Sequence, residues 1–319
     1  GAILGILLFT ILSFLWTGPI VWLLISFAAL IFFQLRLRLN VKFNCISLVI
    51  LILSLNTFLD PNKMDLHSPY QNVSLKFNNV SHTPVTVKSN NLWLQTPINL
   101  SDKFHQKLNT TWHKFYIIPY VSTKKKFDNI LIVGSGTGND VAAALRNTKA
   151  KIDAVEIDPL VADIGVRLHP EQPYSNTRVN LVINDARNFI KETEKKYDMI
   201  VYSLLDSHAN LSSKGGVRLD SYVYTVESFF EANKKLSEDG IIFLSFALST
   251  EEMGNKIYKM LKMNFNYEPT ILRPSYMGKN DNFVEGFYSF AVSKKGHLLD
   301  LSQTNHVETN IFKNKKFYD

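Results

Sequence analysis

The 319-residue chain carries 35 Lys and Arg against 28 Asp and Glu, a formal charge of +7, with 46% hydrophobic and 20% charged residues. Such a composition excludes a disordered chain, a disulfide-stapled mini-protein and a strongly basic nucleic-acid binder, so no nucleic-acid partner is expected. The charge is unevenly spread: Arg36, Arg38 and Lys42 are the charges between Gly1 and Leu59, which excludes a simple soluble single domain as well.

Three apolar runs open the chain, Gly1 to Trp16, Pro19 to Leu35 and Phe43 to Leu59. A membrane-spanning helix needs about 20 apolar residues, with a working range of about 17–25. Residues 1–59 therefore read as transmembrane helices, the first truncated at its start, in a multi-pass protein whose partner is the lipid bilayer. Gly18-Pro19 is the turn between the first two runs, and Arg36, Arg38 and Lys42 form a basic loop after the second. A cleavable signal peptide does not fit, because the apolar stretch is too long and is repeated. The positive-inside rule places that loop in the cytoplasm, and a third span then carries the remainder outside. The cofactor argued below is cytosolic, so the soluble part is expected in the cytoplasm, against that rule. The five Asn-x-Ser/Thr sequons, at Asn72, Asn79, Asn99, Asn109 and Asn210, read as chance in an Asn- and Ser-rich chain. Cys45, the one cysteine, excludes an intramolecular disulfide and a Cys-based zinc site, and no metal is expected.

Residues 60–69 are polar, contain Pro61 and Pro69, and read as a linker. Residues 70–120 read as a small β and helix unit. Val73, Leu75 and Phe77, then Val85 and Val87, then Leu92 and Leu94 alternate with period two, and Asn pairs at 78–79 and 90–91 signal turns. Leu100 to Tyr116 follows as a helix, with Pro119 helping to end the connection after it.

Residues 121–295 change pattern. Short apolar runs at Ile130–Val133, Ile152–Ile157, Val179–Ile183, Met199–Ser203, Ile241–Phe246 and Phe287–Val292 read as strands. Helical stretches lie between them at Asp140–Asn147, Pro159–Leu168, Ala186–Glu194, Val226–Leu236 and Glu251–Met263. The alternation predicts an α/β fold with a mostly parallel sheet and helices on both faces. Residues 296–319 form a polar tail.

The first strand of this part runs into Gly134-Ser135-Gly136-Thr137-Gly138 and then a helix. Glycines there let the backbone turn sharply and approach a ligand, and the helix N-terminus faces it. Glu156, followed by Ile157, ends the next strand, where a carboxylate accepts both ribose hydroxyls. Asp185, beside Ala186, ends the third strand, where an adenine edge would lie. Asp140 opens the helix; an acid there either favours the helix dipole or disfavours a pyrophosphate and suits a cationic nucleoside such as S-adenosylmethionine. Residues alone leave dinucleotide and sulfonium nucleoside both open.

The runs ILIVGSGTGNDVAAAL, VEIDPLVADIGVRLHP, TRVNLVINDARNFI and KYDMIVYSLLDS, with SPYQNVSLKF ahead of them, resemble the polyamine aminopropyltransferases, the spermidine synthase family, over roughly Ser68 to Val292. The resemblance implies a Rossmann-like class I methyltransferase fold behind a small β domain. It implies decarboxylated S-adenosylmethionine as co-substrate, an amine acceptor and a homo-oligomer. It places Gly134, Gly136 and Gly138, with Ser135, Thr137 and Asp140, around the cofactor. Glu156 and Ile157 then lie at the ribose, and Asp185 and Ala186 at the adenine. The family's Asp-Ser-Ser-Asp signature becomes Ser203-Leu204-Leu205-Asp206 here. Asp206 is kept, whereas the first acid, which takes the amine's proton, is Ser203. An acid is likewise replaced at Thr137, and Trp112-His113-Lys114 stands where the family has Tyr-His-Glu.

A diamine is a dication and its site needs carboxylates to bind it and take a proton. Asp206 is the expected base, with His208 as alternative or partner and Ser203 beside them. Ser207 to Tyr224, with Gly215-Gly216, Arg218 and Asp220, reads as a lid over the acceptor. Three readings follow: a membrane-anchored aminopropyltransferase, an S-adenosylmethionine-dependent methyltransferase, or a non-catalytic nucleoside-binding relative. An acidic neighbourhood at Thr137 and Asn139 would favour the first; a positive or amide-rich one, suited to the donor's carboxylate, would favour the second.

Overall fold

The computed structural model describes residues 2–37, 41–56, 63–81, 83–90, 92–101, 103–104, 114–123, 125–205, 222–248, 250–273, 286–296 and 307–308. The chain divides into two compact units, residues 1–79 with 85–94, and residues 80–84 with 95–319.

The first unit begins with three apolar helices, α1 (Ala2–Phe14), α2 (Pro19–Arg36) and α3 (Val41–Asn56). Pro19 opens α2 at the position where its missing N–H costs nothing. Among the described residues α2 alone has the length and apolarity to cross a membrane. The 16 residues of α3 sit just below the about 17–25 that a spanning helix needs, and α1 has 13 within this sequence. Of the three expected spans, one is thus a helix of spanning length among the described residues, and the chain turns at residues 15–18 between the first two apolar runs. Gln34 and Ser47, both buried, link α2 to α3 through a 2.9 Å hydrogen bond from Gln34 Nε2 to Ser47 Oγ.

Four strands complete this unit, save that the last residue of the fourth, Gln95, belongs to the second: β1 (Lys63–His67), β2 (Asn72–Phe77), β3 (Val85–Ser89) and β4 (Leu92–Gln95), in sheet order 1-2-3-4. The β1–β2 and β2–β3 pairs are antiparallel. Val73, Leu75, Val85 and Val87 fill one face, as period two requires. Residues 63–67, read from sequence as linker, instead form β1, whose hydrogen bonds to β2 outweigh its polar composition.

The second unit is built on an eight-stranded sheet. Its strands are β5 (Asn129–Val133), β6 (Lys151–Glu156), β7 (Val179–Ile183), β8 (Tyr197–Tyr202), β9 (Leu236–Leu248), β10 (Thr270–Arg273), β11 (Gly286–Ser293) and β12 (Val307–Glu308). The order is 12-10-11-9-8-5-6-7. Strands β5 to β9 are parallel, and β11 runs antiparallel to β9. Helices α4 (Lys114–Val121), α5 (Asn139–Asn147), α6 (Pro159–Leu168), α7 (Ala186–Glu192), α8 (Val226–Lys235) and α9 (Glu251–Asn264) accompany the sheet.

Ile130, Leu131, Ile132 and Val133 are all fully buried, as a central parallel strand covered on both faces must be. Leu131, Ile200, Ile242 and Leu244 pack with Phe229 of α8 and Leu261 of α9. Ile130, Ile132, Val201 and Phe243 pack on the opposite face with Ile118 of α4 and Val141 of α5. Pro119 lies inside α4, not after it. This corrects the expected helix end: the short helix loses one internal hydrogen bond at Pro119 but buries Ile118 and Tyr120 on either side. The strand order turns back on either side of β5, which is flanked by β6 and β8. Open α/β sheets bind ligands at the carboxyl ends of strands at such a switch point.

Candidate active site

The glycine loop leaves the carboxyl end of β5 at that switch point. Gly134 adopts φ +70°, and a Cβ there would lie 1.6 Å from Leu205 Cδ2. No L-residue fits, because both the backbone angle and the space demand glycine. Gly134 and Ser135 both donate to Val155 O at 2.9 Å, tying the loop to the end of β6. Gly138 closes the loop as N-cap of α5, whose first-turn N–H groups face the strand ends.

Glu156 ends β6 and is buried. Its Oε2 accepts from Gly136 N at 2.8 Å and its Oε1 from Asp158 N at 2.9 Å. Burial pushes its carboxyl up, while these N–H groups oppose the rise. Carboxylate oxygens accept more than one hydrogen bond each, so the group retains acceptor capacity for a ribose hydroxyl. Ile157, half-buried, follows it.

Asp185 stands after β7 as N-cap of α7, with Oδ1 accepting from Asn188 N at 2.9 Å. Ala186, buried, is the first residue of that helix. Strands β6 and β7 are register neighbours, Glu156 opposite Ile183. The structure therefore brings the ribose and adenine candidates to adjacent strand ends.

Asp140 lies in the first turn of α5 and is buried. Burial pushes its carboxyl up to about 6, and the Ser203 hydroxyl beside it offsets part of that rise. Ser203 ends β8 and donates its N–H to Val133 O at 3.1 Å. Sequence reading treats Asp140 and Ser203 separately; the fold brings them together beside the glycine loop. Asp206 and His208 lie outside the described residues, as do Trp112, His113 and most of the expected lid. Tyr224, at the lid's end, donates to Ser203 O at 3.4 Å.

Sequence reasoning gives no hydrogen-bonding role to four residues that shape this site. Gln95, at the end of β4, accepts two hydrogen bonds on Oε1, from Thr137 N and Thr137 Oγ1, both 2.7 Å. Tyr174 reaches over the loop, donating its hydroxyl to Gly136 O at 2.7 Å and accepting from Ser135 Oγ at 2.9 Å. Burial holds its phenol far above the usual range, so it acts as a donor throughout. Asn139 uses its whole carboxamide: Oδ1 accepts from Ile98 N at 3.1 Å, and Nδ2 donates to Thr96 O at 3.0 Å and Tyr116 Oη at 3.1 Å. His169 Nδ1 accepts from Glu171 N at 3.1 Å, so Nε2 carries the proton and donates to Asn139 Oδ1 at 3.1 Å. Burial, with Arg146 nearby, pushes this imidazole down to about 3, and it stays neutral.

The arrangement suits a nucleoside bearing positive charge. Glycine gives it room, Glu156 supplies paired acceptors, and Asp140 supplies negative charge. Among the described residues no three His, Cys, Asp or Glu side chains are grouped to hold a metal. A cavity of about 450 Å³ lies at the other end of the strands, against Lys151, Asp153, Arg178 and Lys195. Lys195 is committed to Asp153, and Arg178 to backbone carbonyls.

Known proteins agree with this fold. The chain is 27% identical over 202 residues to a polyamine aminopropyltransferase of Clostridium botulinum (strain Eklund 17B / Type B), covering 60% of this chain and 66% of that one. It is 26% identical over 217 residues to that of Sulfolobus acidocaldarius, covering 65% and 68%. The match thus spans about two thirds of the length of these curated relatives. Spermidine synthase from Thermotoga maritima superposes with a TM-score of 0.51 at 16% identity, covering 72% of each chain. A spermidine synthase in complex with the transition state analogue AdoDATO gives 0.54 at 16%, covering 72% of this chain and 73% of that one. The spermine/spermidine synthase domain matches residues 118–301, and the chain, with its switch-point glycine loop and acidic strand ends, belongs to that family.

Proposed function

We propose that the chain is a transferase that moves an aminopropyl group from decarboxylated S-adenosylmethionine to an amine acceptor. The observation that carries this reading is the buried Glu156, which holds the glycine loop through Gly136 N while keeping acceptor capacity for a ribose. The amine lone pair attacks the carbon beside the sulfonium. The carbon–sulfur bond breaks, its electron pair neutralises sulfur, and methylthioadenosine leaves. Asp206 takes the amine's proton, with His208 as its partner. Holding nitrogen and carbon in line supplies much of the rate. Asp140 and Ser203 face the sulfonium side, and Asp185 and Ala186 the adenine. The apolar α2, 18 residues long, anchors the enzyme to a membrane, with the transferase domain on the cytoplasmic side.

Neutral Thr137 and Ser203, where the family carries acids, favour methyl transfer as the second reading. The leaving nucleoside separates the two. Three-carbon transfer releases methylthioadenosine; methyl transfer from S-adenosylmethionine releases S-adenosylhomocysteine. The test incubates the full chain with either donor and a panel of amines. Methylthioadenosine formed with the decarboxylated donor, and abolished by Asp206→Asn, supports the first reading. S-adenosylhomocysteine, or turnover that persists in Asp206→Asn, overturns it or its choice of base.

A further inference from the structure

Gln95 packs against the glycine loop. Its carboxamide lies over Gly136: a Cβ built there would sit 2.5 Å from Oε1, 3.3 Å from Cδ and 3.4 Å from Nε2. The orientation of the amide is fixed by chemistry. A backbone N–H only donates, so the atom facing Thr137 N is the carbonyl oxygen. The Thr137 hydroxyl donates to the same oxygen. With Oε1 pinned twice, Nε2 is held in place, and it makes no hydrogen bond among the described residues. It is not among the buried atoms left without a partner, so its two N–H groups remain accessible.

A rigid amide with two unused N–H donors recognises an acceptor group. It offers an ammonium tail nothing, because its one oxygen is already doubly engaged. Asn139, the other amide near Thr137, is saturated by four partners and offers no donor. Of these two described amides beside Thr137, Gln95 is the one that presents hydrogens.

We infer that Gln95 is a donor-specificity residue whose Nε2 binds the carboxylate of S-adenosylmethionine, so that the undecarboxylated nucleoside is itself a donor of the three-carbon chain. This rests on the sulfonium-donor reading above. The same attack on the carbon beside sulfur then transfers a 3-amino-3-carboxypropyl group. The carbon–sulfur bond breaks as before, its electrons go to sulfur, methylthioadenosine leaves, and the amine's proton goes to the base.

The test is calorimetric titration of the full chain with S-adenosylmethionine, its decarboxylated form and methylthioadenosine, which lacks the tail. The wild type is expected to bind the two sulfonium donors within roughly tenfold of each other. Gln95→Glu keeps an oxygen for Thr137 and turns an anion toward the tail. It should weaken S-adenosylmethionine roughly tenfold to a hundredfold relative to the decarboxylated donor, the worth of a charge-assisted hydrogen bond replaced by repulsion. Methylthioadenosine should be unaffected, which also verifies that the variant folds. Gln95→Ala, which also releases Thr137, should lower affinity for S-adenosylmethionine more than for the other two ligands. Rejection of S-adenosylmethionine by the wild type, or equal losses for all three ligands in both variants, overturns the inference while leaving aminopropyl transfer standing. S-adenosylhomocysteine released from S-adenosylmethionine overturns the three-carbon reading itself, and failure to bind even methylthioadenosine overturns the nucleoside site.

Discussion

Gly165 in α6 presses its α-carbon against the backbone of Thr137: a methyl group there would lie 2.6 Å from Thr137 O and 2.8 Å from its carbonyl carbon. The helix after β6 therefore braces the loop after β5 from behind. Backbone cannot swing aside as a long side chain can, so any side chain at Gly165 must push the loop forward.

Gly165→Ala should accordingly weaken methylthioadenosine binding by roughly tenfold or more and destabilise the fold by about 1–3 kcal/mol, the usual cost of overpacking. Titration and urea unfolding check the two effects. Alanine is otherwise the better helix former, so unchanged or higher stability with unchanged binding would show that the loop yields freely.

The buried carboxyl of Asp140 sets a pH dependence. Its folded pKa, raised to about 6 by burial, exceeds its ordinary value of 3.8. Between those values the folded chain holds a proton that the unfolded chain releases, so stability falls as pH rises through this window. The penalty is complete above pH 6, at about 3 kcal/mol for roughly two units. Asp140→Asn should be more stable than wild type at pH 8, and the difference should vanish near pH 3.5. Binding runs the other way: affinity for a sulfonium nucleoside should rise between pH 5 and 7 in the wild type and stay flat in Asp140→Asn. Urea unfolding and calorimetry across pH measure both.

Arg178 carries a structural prediction. Its guanidinium donates to Leu145 O at 2.9 Å, Thr148 O at 2.7 Å and Ala150 O at 3.4 Å, gathering the carbonyls at the end of α5 and the turn into β6. Arg178→Ala should cost about 2–4 kcal/mol in chemical denaturation, since charged donors to otherwise unpaired carbonyls are worth more than neutral ones. Nucleoside affinity in the folded fraction should be unchanged, because these carbonyls lie at the far end of α5 from the loop.

The glycine loop is legible in the sequence because its demands are local. A buried β-strand, three glycines and a helix start must follow one another, and Gly134 at φ +70° tolerates nothing else. The parallel core is legible for the same reason, through unbroken apolar runs such as Ile130–Val133. The contacts that brace the loop are not local. Gln95 is 42 residues from Thr137 and Tyr174 is 38 from Gly136, and each sits in a segment whose own pattern announces only a strand end or a turn. Short strands such as Thr270–Arg273 have too few residues to show alternation. Hydropathy marks α1 and α3 as apolar but does not register where the turn at residues 15–18 ends α1.

Glu156 separates ribose recognition from tail recognition. Both of its oxygens accept a backbone N–H, from Gly136 and Asp158, so the carboxylate is required twice, once for the loop and once for the ligand. Glu156→Gln must turn an NH₂ toward one of those N–H groups and can no longer offer paired acceptors to two hydroxyls. Methylthioadenosine and both sulfonium donors should then weaken together, by roughly a hundredfold, the loss expected when two charge-assisted hydrogen bonds fail. Stability should change less at pH 7, because the substitution also removes a buried charge whose carboxyl burial pushes up. The uniform loss in Glu156→Gln, set against a loss largest for the carboxylated donor in Gln95→Ala, would divide the site into a nucleoside end and a tail end. Equal profiles in the two variants would mean that both merely hold the loop, since Thr137 and Gly136 adjoin each other.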